Sequence, residues 1–274
     1  MTTDEKRGWA FRALHQREGA FVIPNPWDVG SARLLAGMGF EALATTSAGY
    51  AFSTGKRDSK VGREAMIAHV AAIANATDLP VSADLENGFG DAPEHVAETI
   101  RLAAAAGASG GSIEDATGRS SDPIYEEGLA IERIRAAVEA VRGLPTRFTL
   151  TARCENYLHD KPDLANTIHR LQAYQEAGAD VLYAPGLTSR EEIATLVKSV
   201  DRPVNVLVGF KGIEVNLADA SAMGVRRLSV GSALARAAYG ALLGAAKEIQ
   251  KRGTFAFGED AVSFSEISAK FPAQ

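Results

Sequence analysis

Short apolar segments alternate with longer amphipathic segments along most of the chain. Parallel strands buried on both faces are short and nearly all apolar, whereas apolar residues three and four apart indicate helices. The alternation therefore predicts repeated β–α units. Strands are predicted at 20–24, 41–45, 80–86, 110–114, 147–153, 180–184, 203–208 and 226–230. Helices are predicted at 28–38, 62–76, 93–106, 126–141, 163–177, 188–199, 216–223 and 232–251.

Glycine separates several of these helices from the strand that follows. Glycine reaches the left-handed conformation that ends a helix without a steric penalty. The recurring phrases are AGMGFEALATT (36–46), AAGASGGSIED (105–115), EAGADVLYAPG (176–186) and SAMGVRRLSVG (221–231). Eight such units predict an α/β protein whose residues 1–274 form a single (β/α)8 TIM barrel domain. A doubly wound open sheet is the alternative, but it rarely needs eight evenly repeated units.

The C-terminal segment 252–274 departs from the repeat. We predict an irregular tail that packs on the barrel or on a neighbouring subunit.

Charge and composition narrow the class of protein. The 34 acidic and 29 basic residues give a net charge of -5, which disfavours nucleic acid as a partner. The longest apolar runs, 103–108 and 241–246, are far shorter than the ~20 residues that cross a bilayer. Cys154 is the single cysteine, so an intrachain disulfide is excluded, and the charged N-terminal segment does not resemble a signal peptide. These features predict a cytoplasmic protein without membrane or nucleic-acid partners.

Polar side chains collect where the predicted strands end, the face that carries the chemistry of such barrels. Asp84 and Glu86 lie two residues apart, so in an extended strand they face the same side. The same spacing relates Arg153 and Glu155. By the same alternation Asp115 is expected in a loop or cap, and Cys154 in the core. The remaining polar groups are Thr45, Thr46, Ser47, Asp58, Glu114, Asn156 and Asn205.

Several acids around one barrel mouth need a positive counter-ion. Oxygen ligands without histidine or cysteine suit Mg2+ or Mn2+. The Arg153 guanidinium can hold a substrate carboxylate through two parallel hydrogen bonds. Together these residues predict a metal site that binds a small carboxylate.

The run SADLENGFG resembles the D-x-[DE]-x-G-[FY]-G signature of the isocitrate lyase/phosphoenolpyruvate mutase superfamily. TTSAGYAFSTGKRDS, GASGGSIEDATG and LTARCEN accompany it in the right order, so the resemblance covers roughly residues 20–250. The family is a (β/α)8 barrel in which Mg2+ holds a 2-oxo or enolate-bearing carboxylate while a C–C or P–C bond is broken or formed. Its members are commonly tetramers, often with the last barrel helix exchanged between subunits. The resemblance therefore implies a homo-oligomer, a tetramer or dimer.

The resemblance also implies roles for individual residues. Asp84 and Glu114 would be metal ligands, with Glu86 beside them. Arg153, Asp58 and Glu86 would act in catalysis. The residues that would bind the substrate are Ser47, Ala48, Gly49, Arg153 and Asn205.

The loop after the fourth strand departs from the family. Isocitrate and methylisocitrate lyases carry K-[KR]-C-G-H there, and the mutases place Lys and Asn there, whereas this chain reads ATGRSSDPIYEEG, with Arg119, Ser120, Ser121 and Asp122. Cleavage of a C–C bond by decarboxylation or a retro-aldol step needs no such cysteine. We therefore predict a metal-dependent carbon–carbon lyase acting on a small 2-oxo or 2-hydroxy carboxylate.

Three alternatives stay open. The first is P–C bond chemistry like that of phosphoenolpyruvate mutase or phosphonopyruvate hydrolase. The second is a phosphate site formed by Gly209 and the Gly231–Ser232 pair. The third, which is not an enzyme, is a catalytically silent barrel that binds a carboxylate.

Overall fold

Eight parallel strands form the centre of the protein in a computed structural model that describes residues 2–271. They are β1 Phe21–Ile23, β2 Leu43–Ala44, β3 Val81–Asp84, β4 Gly110–Glu114, β5 Thr149–Arg153, β6 Val181–Tyr183, β7 Val204–Leu207 and β8 Arg227–Ser229. Their order is β1-β8-β7-β6-β5-β4-β3-β2. The Ala44 N–H donates to the Pro24 carbonyl at 3.0 Å, which links β1 to β2. The predicted (β/α)8 barrel is confirmed, and the doubly wound sheet is wrong.

Eleven α-helices are present among residues 2–271. They are α1 Thr3–Gln16, α2 Val29–Gly37, α3 Ser47–Ser53, α4 Arg63–Ala74, α5 Pro93–Ala105, α6 Glu127–Arg142, α7 Leu164–Ala177, α8 Arg190–Lys198, α9 Leu217–Ala222, α10 Ala233–Arg252 and α11 Phe264–Ser268. All eight predicted helices are confirmed. The sequence did not predict α1 or α11, and it assigned α3 to a loop.

Local capping explains two of the additional helices. Thr2 and Glu5 form a capping box at the start of α1, which satisfies backbone N–H groups that a short charged segment would otherwise expose. At α3, the Thr46 hydroxyl accepts a hydrogen bond from the Gly49 N–H at 3.2 Å. Because α3 has only seven residues, its periodicity is too short to stand out in the sequence.

Helix α1 packs against the start of β1. Phe11 and Phe21 are buried there, and the His15 ring lies edge-on to both, with ring centroids 4.8 and 5.1 Å away. Burial, followed by the positive charge of Arg227, lowers the pKa of His15 from 6.5 to about 3. The folded protein therefore holds this imidazole neutral at physiological pH.

We expect His15 to make the protein less stable in mild acid. Below pH 6.5 the unfolded chain binds a proton on His15 that the folded chain rejects until about pH 3. The free energy of unfolding should therefore fall by about 1.4 kcal/mol per pH unit in this window. Urea unfolding at pH 6.5 and about pH 5 should show a loss of about 2 kcal/mol that His15→Gln removes. His169→Gln, at an exposed histidine, is the control, and equal losses in both variants would contradict this origin.

The C-terminal elements are largely exposed beyond the first turn of α10. Ala235 is the buried residue of α10, and no residue of α11 is buried. Leu242, Leu243 and Phe264 are exposed by 61%, 57% and 86%. No residue of 252–271 is buried, and residues 272–274 lie outside the described part. Packing of the tail on the barrel or on a neighbouring subunit stays a prediction. Among residues 2–271, no helix combines the length and apolar character needed to cross a membrane.

Candidate active site

One arginine and several carboxylates meet at the ends of β3, β4 and β5. Arg153 ends β5, and its guanidinium lies 3.0 Å from Asp84 Oδ1 and 3.2 Å from Glu114 Oε2. It also lies 2.8 Å from Glu155 Oε1. Only 14% of the Arg153 side chain is exposed. The predicted convergence of these residues at the barrel mouth is what the structure shows.

Asp84 ties the end of β3 to α3. Its Oδ2 accepts a hydrogen bond from the Ser47 N–H at 2.9 Å, and its own N–H donates to Thr45 Oγ1 at 2.8 Å. The side chain thereby has one oxygen on Arg153 and the other on the backbone of Ser47. This arrangement fixes the carboxylate at the mouth.

Glu86 reaches the same cluster through a turn. Strand β3 ends at Asp84, and Glu86 has a left-handed backbone with a φ of 48°. The extended spacing that predicted a shared face therefore does not apply at Glu86, and this part of the reasoning is wrong. Glu86 is nevertheless buried, and its Oε1 has no hydrogen-bond partner in the described chain. A buried carboxylate oxygen without a partner is unfavourable unless a ligand satisfies it.

The cluster holds more negative charge than Arg153 can balance. Burial, then the charges of Asp84 and Asp58, raise the pKa of Glu86 to about 8. Burial also raises the pKa of Glu114 well above its ordinary value and raises that of Glu155, although Arg153 opposes both changes. Partial removal from water, then Asp84, raise the pKa of Asp58. A further cation would relieve this repulsion.

The residues fit a hard divalent cation. Among residues 2–271, no group of three His, Cys, Asp or Glu side chains is already arranged to hold a metal ion, and Asp84 and Glu114 contact Arg153 instead. The unpartnered Glu86 oxygen and the all-oxygen chemistry nevertheless match what Mg2+ and Mn2+ require. Asp84, Glu86 and Glu114 are the residues that could hold such an ion, directly or through water.

The first residues of α3 face the same region. The Ser47 N–H is bonded to Asp84, and the Gly49 N–H is bonded to Thr46. Of the three predicted substrate-binding residues on α3, Ala48 is the one whose backbone N–H has no hydrogen-bond partner in the described chain. Gly49 is packed tightly, because a Cβ there would lie 2.6 Å from Thr46 Cγ2 and 3.1 Å from Trp27 Cβ.

We expect Gly49→Ala to destabilise the protein and to disturb α3. An added methyl group in a filled space costs roughly 1–3 kcal/mol. A displaced α3 should also raise the KM for the substrate. Gly37→Ala is the matched control, because a Cβ at Gly37 meets nothing within 4 Å. Urea unfolding and steady-state kinetics check both effects, and a Gly49 variant as stable as the Gly37 variant would contradict the packing.

Two cavities border the carboxylate cluster. The inner one, of about 150 Å³, lies inside the barrel. Its lining includes Asp58, Asp84, Arg153, Tyr183, Asn205 and Arg227. The outer one, of about 850 Å³, includes Lys60, Glu86, Asp91, Glu114 and His159. The acids therefore stand between a small polar chamber and a wider cleft.

Asn205, another predicted substrate-binding residue, is buried in β7. Its Nδ2 donates to Ser229 Oγ at 2.9 Å, and its Oδ1 accepts from Arg227 Nε at 2.9 Å. It borders the inner cavity together with Arg153. A substrate in that cavity would therefore meet Asn205 beside an existing hydrogen-bond network.

Several residues next to the site were not predicted from the sequence. The Tyr183 ring lies 5.1 Å from the Arg153 guanidinium carbon, but in the sequence it reads as part of an apolar strand. Arg133 of α6 is buried and donates to the Gly90 carbonyl at 2.6 Å, which holds the loop after β3. Nothing in a charged helical pattern distinguishes such an arginine from a solvated one. Asn87 lies in the same loop, and its carbonyl also accepts from Arg133.

Asp115 and Cys154, which the sequence predicts to be structural residues, lie outside the barrel mouth. Asp115 is buried and accepts hydrogen bonds from the Glu155 N–H at 2.8 Å and the Tyr174 hydroxyl at 2.7 Å. Cys154 is fully buried, and burial raises the pKa of its thiol well above the ordinary value. Both are structural here, in line with the alternation along β4 for Asp115 and along β5 for Cys154.

Comparisons with known proteins identify the family of the chain. The sequence profile of the phosphoenolpyruvate phosphomutase family matches residues 11–250. The crystal structure of a candidate lyase/mutase from Burkholderia cenocepacia J2315 is 61% identical, with a TM-score of 0.96 over 99% of this chain and 97% of that chain. The 2-methylisocitrate lyase of Escherichia coli K12 is 30% identical over 72% of this chain and 68% of the lyase.

A third relative carries a ligand. The structure of oxaloacetate acetylhydrolase in complex with its product oxalate is 26% identical, with a TM-score of 0.87 over 98% of this chain and 93% of that chain. The family suggested by the sequence motifs is thereby confirmed. The chain belongs to the isocitrate lyase/phosphoenolpyruvate mutase superfamily and is an enzyme of its carbon–carbon lyase type.

Proposed function

We propose that this enzyme uses Mg2+ or Mn2+ to cleave a C–C bond of a small 2-oxo or 2-hydroxy carboxylate through an enolate, as a decarboxylase or by a retro-aldol step. The observation that carries the proposal is the carboxylate cluster at Arg153, whose Glu86 oxygen has no partner among the described residues. The relatives named 2-methylisocitrate lyase and oxaloacetate acetylhydrolase support carboxylate chemistry.

Different residues of the site would bind the substrate and the cation. Arg153 would bind the substrate carboxylate in the inner cavity, with the Ala48 N–H and the Ser47 hydroxyl beside it. Asp84, Glu86 and Glu114 would hold the cation. When bound, the cation supplies positive charge where the enolate oxygen develops.

We assign proton transfer to Asp58 and Glu86. Asp58 borders the inner cavity together with Arg153, whereas Glu86 borders the outer one. Each can therefore reach a ligand placed between the two cavities. They would supply the acid/base groups that the lyases obtain from a loop cysteine.

The loop after β4 is the proposed cover of the site. Arg119 forms an ion pair with Asp91 at 2.8 Å, and Ala116 pairs with Ile124 across the loop. The loop is thus attached to the loop after β3, beside the outer cavity. Closing it over the substrate would exclude water from the enolate.

A substrate panel tests the proposed function. The purified enzyme with Mg2+, Mn2+ or EDTA is given 2-oxo and 2-hydroxy acids, and pyruvate and CO2 are measured. We expect turnover of at least one acid, lost with EDTA. Turnover unaffected by EDTA would contradict the metal role. Phosphonopyruvate as the sole substrate would support P–C chemistry, and oxalate binding without any turnover would support the silent barrel.

We also propose that the enzyme is a homo-oligomer, a tetramer or dimer, and that α10 and the tail contact a neighbouring subunit. The exposed Leu242, Leu243, Phe255 and Phe264 support this, because large apolar surfaces usually pair. Sedimentation should give a multiple of 28.9 kDa, and the double variant Leu242→Glu/Leu243→Glu should reduce it. A wild-type protein that sediments as a monomer would contradict the assignment. The cytoplasmic location stays a prediction.

A further inference from the structure

Arg227 is a buried arginine inside the barrel whose positive charge has no acidic partner. It begins β8 and is 4% exposed. Its Nε donates to Asn205 Oδ1 at 2.9 Å, and its Nη2 donates to Thr151 Oγ1 at 3.0 Å. No Asp or Glu of residues 2–271 forms an ion pair with it, in contrast to Arg153, which contacts three carboxylates.

The third partner of Arg227 is also neutral. His15 Nδ1 lies 2.8 Å from the Phe11 carbonyl, so this nitrogen carries the ring proton. The other nitrogen, Nε2, lies 3.3 Å from Arg227 Nη1 and accepts from it. Burial lowers the pKa of Arg227 to about 10, so the guanidinium stays charged at neutral pH.

This charge borders the inner cavity. Arg227, Asn205 and Ser229 all line the chamber of about 150 Å³, which Arg153 borders as well. A buried charge held only by neutral groups is unfavourable, and an anion in contact with it offsets that penalty. The chamber is polar and has room for a few waters or a small carboxylate.

We propose that Arg227, Asn205 and Ser229 form a second anion subsite inside the barrel, which receives a second carboxylate of the ligand. The inference rests on the proposed function, because it takes the first carboxylate to lie at Arg153. Arg153 then binds one carboxylate of the substrate and Arg227 binds the other. Arg153 is already partly neutralised by acids, whereas Arg227 offers a full charge. Arg227 is therefore a residue that selects dicarboxylates over monocarboxylates.

Calorimetric titration in Mg2+ tests the subsite. The probes are malate and lactate, which differ by one carboxylate, and oxalate. Because the two carboxylates of oxalate are joined directly, oxalate occupies one subsite and reports on the mouth alone. We expect the wild type to bind malate at least about tenfold more tightly than lactate. Arg227→Met should remove this preference and leave lactate and oxalate within about twofold of the wild type. Arg227→Lys should recover part of it.

Arg226→Met is the matched control, because Arg226 is the neighbouring arginine, only half-buried and outside the inner cavity. It should keep the malate preference. A wild type that binds both acids equally would overturn the subsite. An Arg227→Met variant that still binds oxalate and still prefers malate would also overturn the subsite. In that case Arg227 would be only a structural link between β8 and His15. If Arg227→Met fails to fold, the wild-type ratio and Arg227→Lys decide. Loss of Mg2+-dependent oxalate binding in the wild type would instead overturn the proposed function.

Discussion

Arg153→Met is expected to lower kcat/KM by roughly 10³-fold or more and to destabilise the protein by roughly 3–5 kcal/mol at neutral pH. The variant removes the only positive group that contacts Asp84, Glu114 and Glu155 among the described residues. It therefore leaves three largely buried carboxylates without their partner, and the substrate carboxylate loses its proposed contact. Steady-state kinetics and urea unfolding measure the two effects.

Two comparisons test whether the positive charge of Arg153 accounts for the expected loss of stability. Arg153→Lys keeps the charge but not the paired hydrogen bonds, so it should retain more stability than Arg153→Met and recover little activity. Burial raises the pKa of both Glu86 and Glu114, so these carboxylates become protonated as the pH is lowered. Lowering the pH should therefore reduce the difference in the free energy of unfolding between the wild type and Arg153→Met. A Met variant as stable and as active as the wild type would contradict the role of Arg153.

Asp84→Ala is expected to lower metal-dependent activity by roughly 10²–10³-fold or more. Asp84 is the acid that contacts both Arg153 and the Ser47 backbone, so its loss removes a proposed metal ligand and frees the start of α3. The affinity for Mn2+ should fall along with the activity. Electron paramagnetic resonance of free Mn2+ measures that affinity.

Asp115→Asn is the matched control for Asp84. Asp115 directly follows β4, and its N–H donates to the Arg153 carbonyl, but its side chain accepts from Tyr174 and from the Glu155 backbone outside the mouth. This variant should lose stability while keeping its Mn2+ affinity. Equal losses of Mn2+ affinity in both variants would place the cation elsewhere.

The sequence was sufficient to predict the barrel because its strands are short, apolar and separated by glycine-terminated helices. It also placed Asp84, Glu114 and Arg153 correctly at the mouth, since each lies at the last position of a strand. Helix α3 was missed because one side-chain cap, from Thr46, decides its conformation. A single hydrogen bond of this kind leaves no periodic pattern.

The remaining parts of the site depend on three-dimensional contacts. Glu86 joins the cluster through a left-handed turn, which alternation along a strand cannot predict. Arg227 follows Arg226 in the sequence, and a pair of adjacent arginines is typical of a solvent-exposed surface. Its burial becomes visible only when β7, β8 and α1 are brought together through Asn205 and His15.

Thermal unfolding with oxalate tests the central claim, that the carboxylates at Arg153 form a metal-dependent carboxylate site. We predict that oxalate raises the Tm of the wild type in Mg2+ or Mn2+ and has no comparable effect in EDTA. We also predict that Asp84→Ala abolishes the metal-dependent increase. An oxalate-induced increase of the same size in EDTA, or in the Asp84 variant, would contradict the claim.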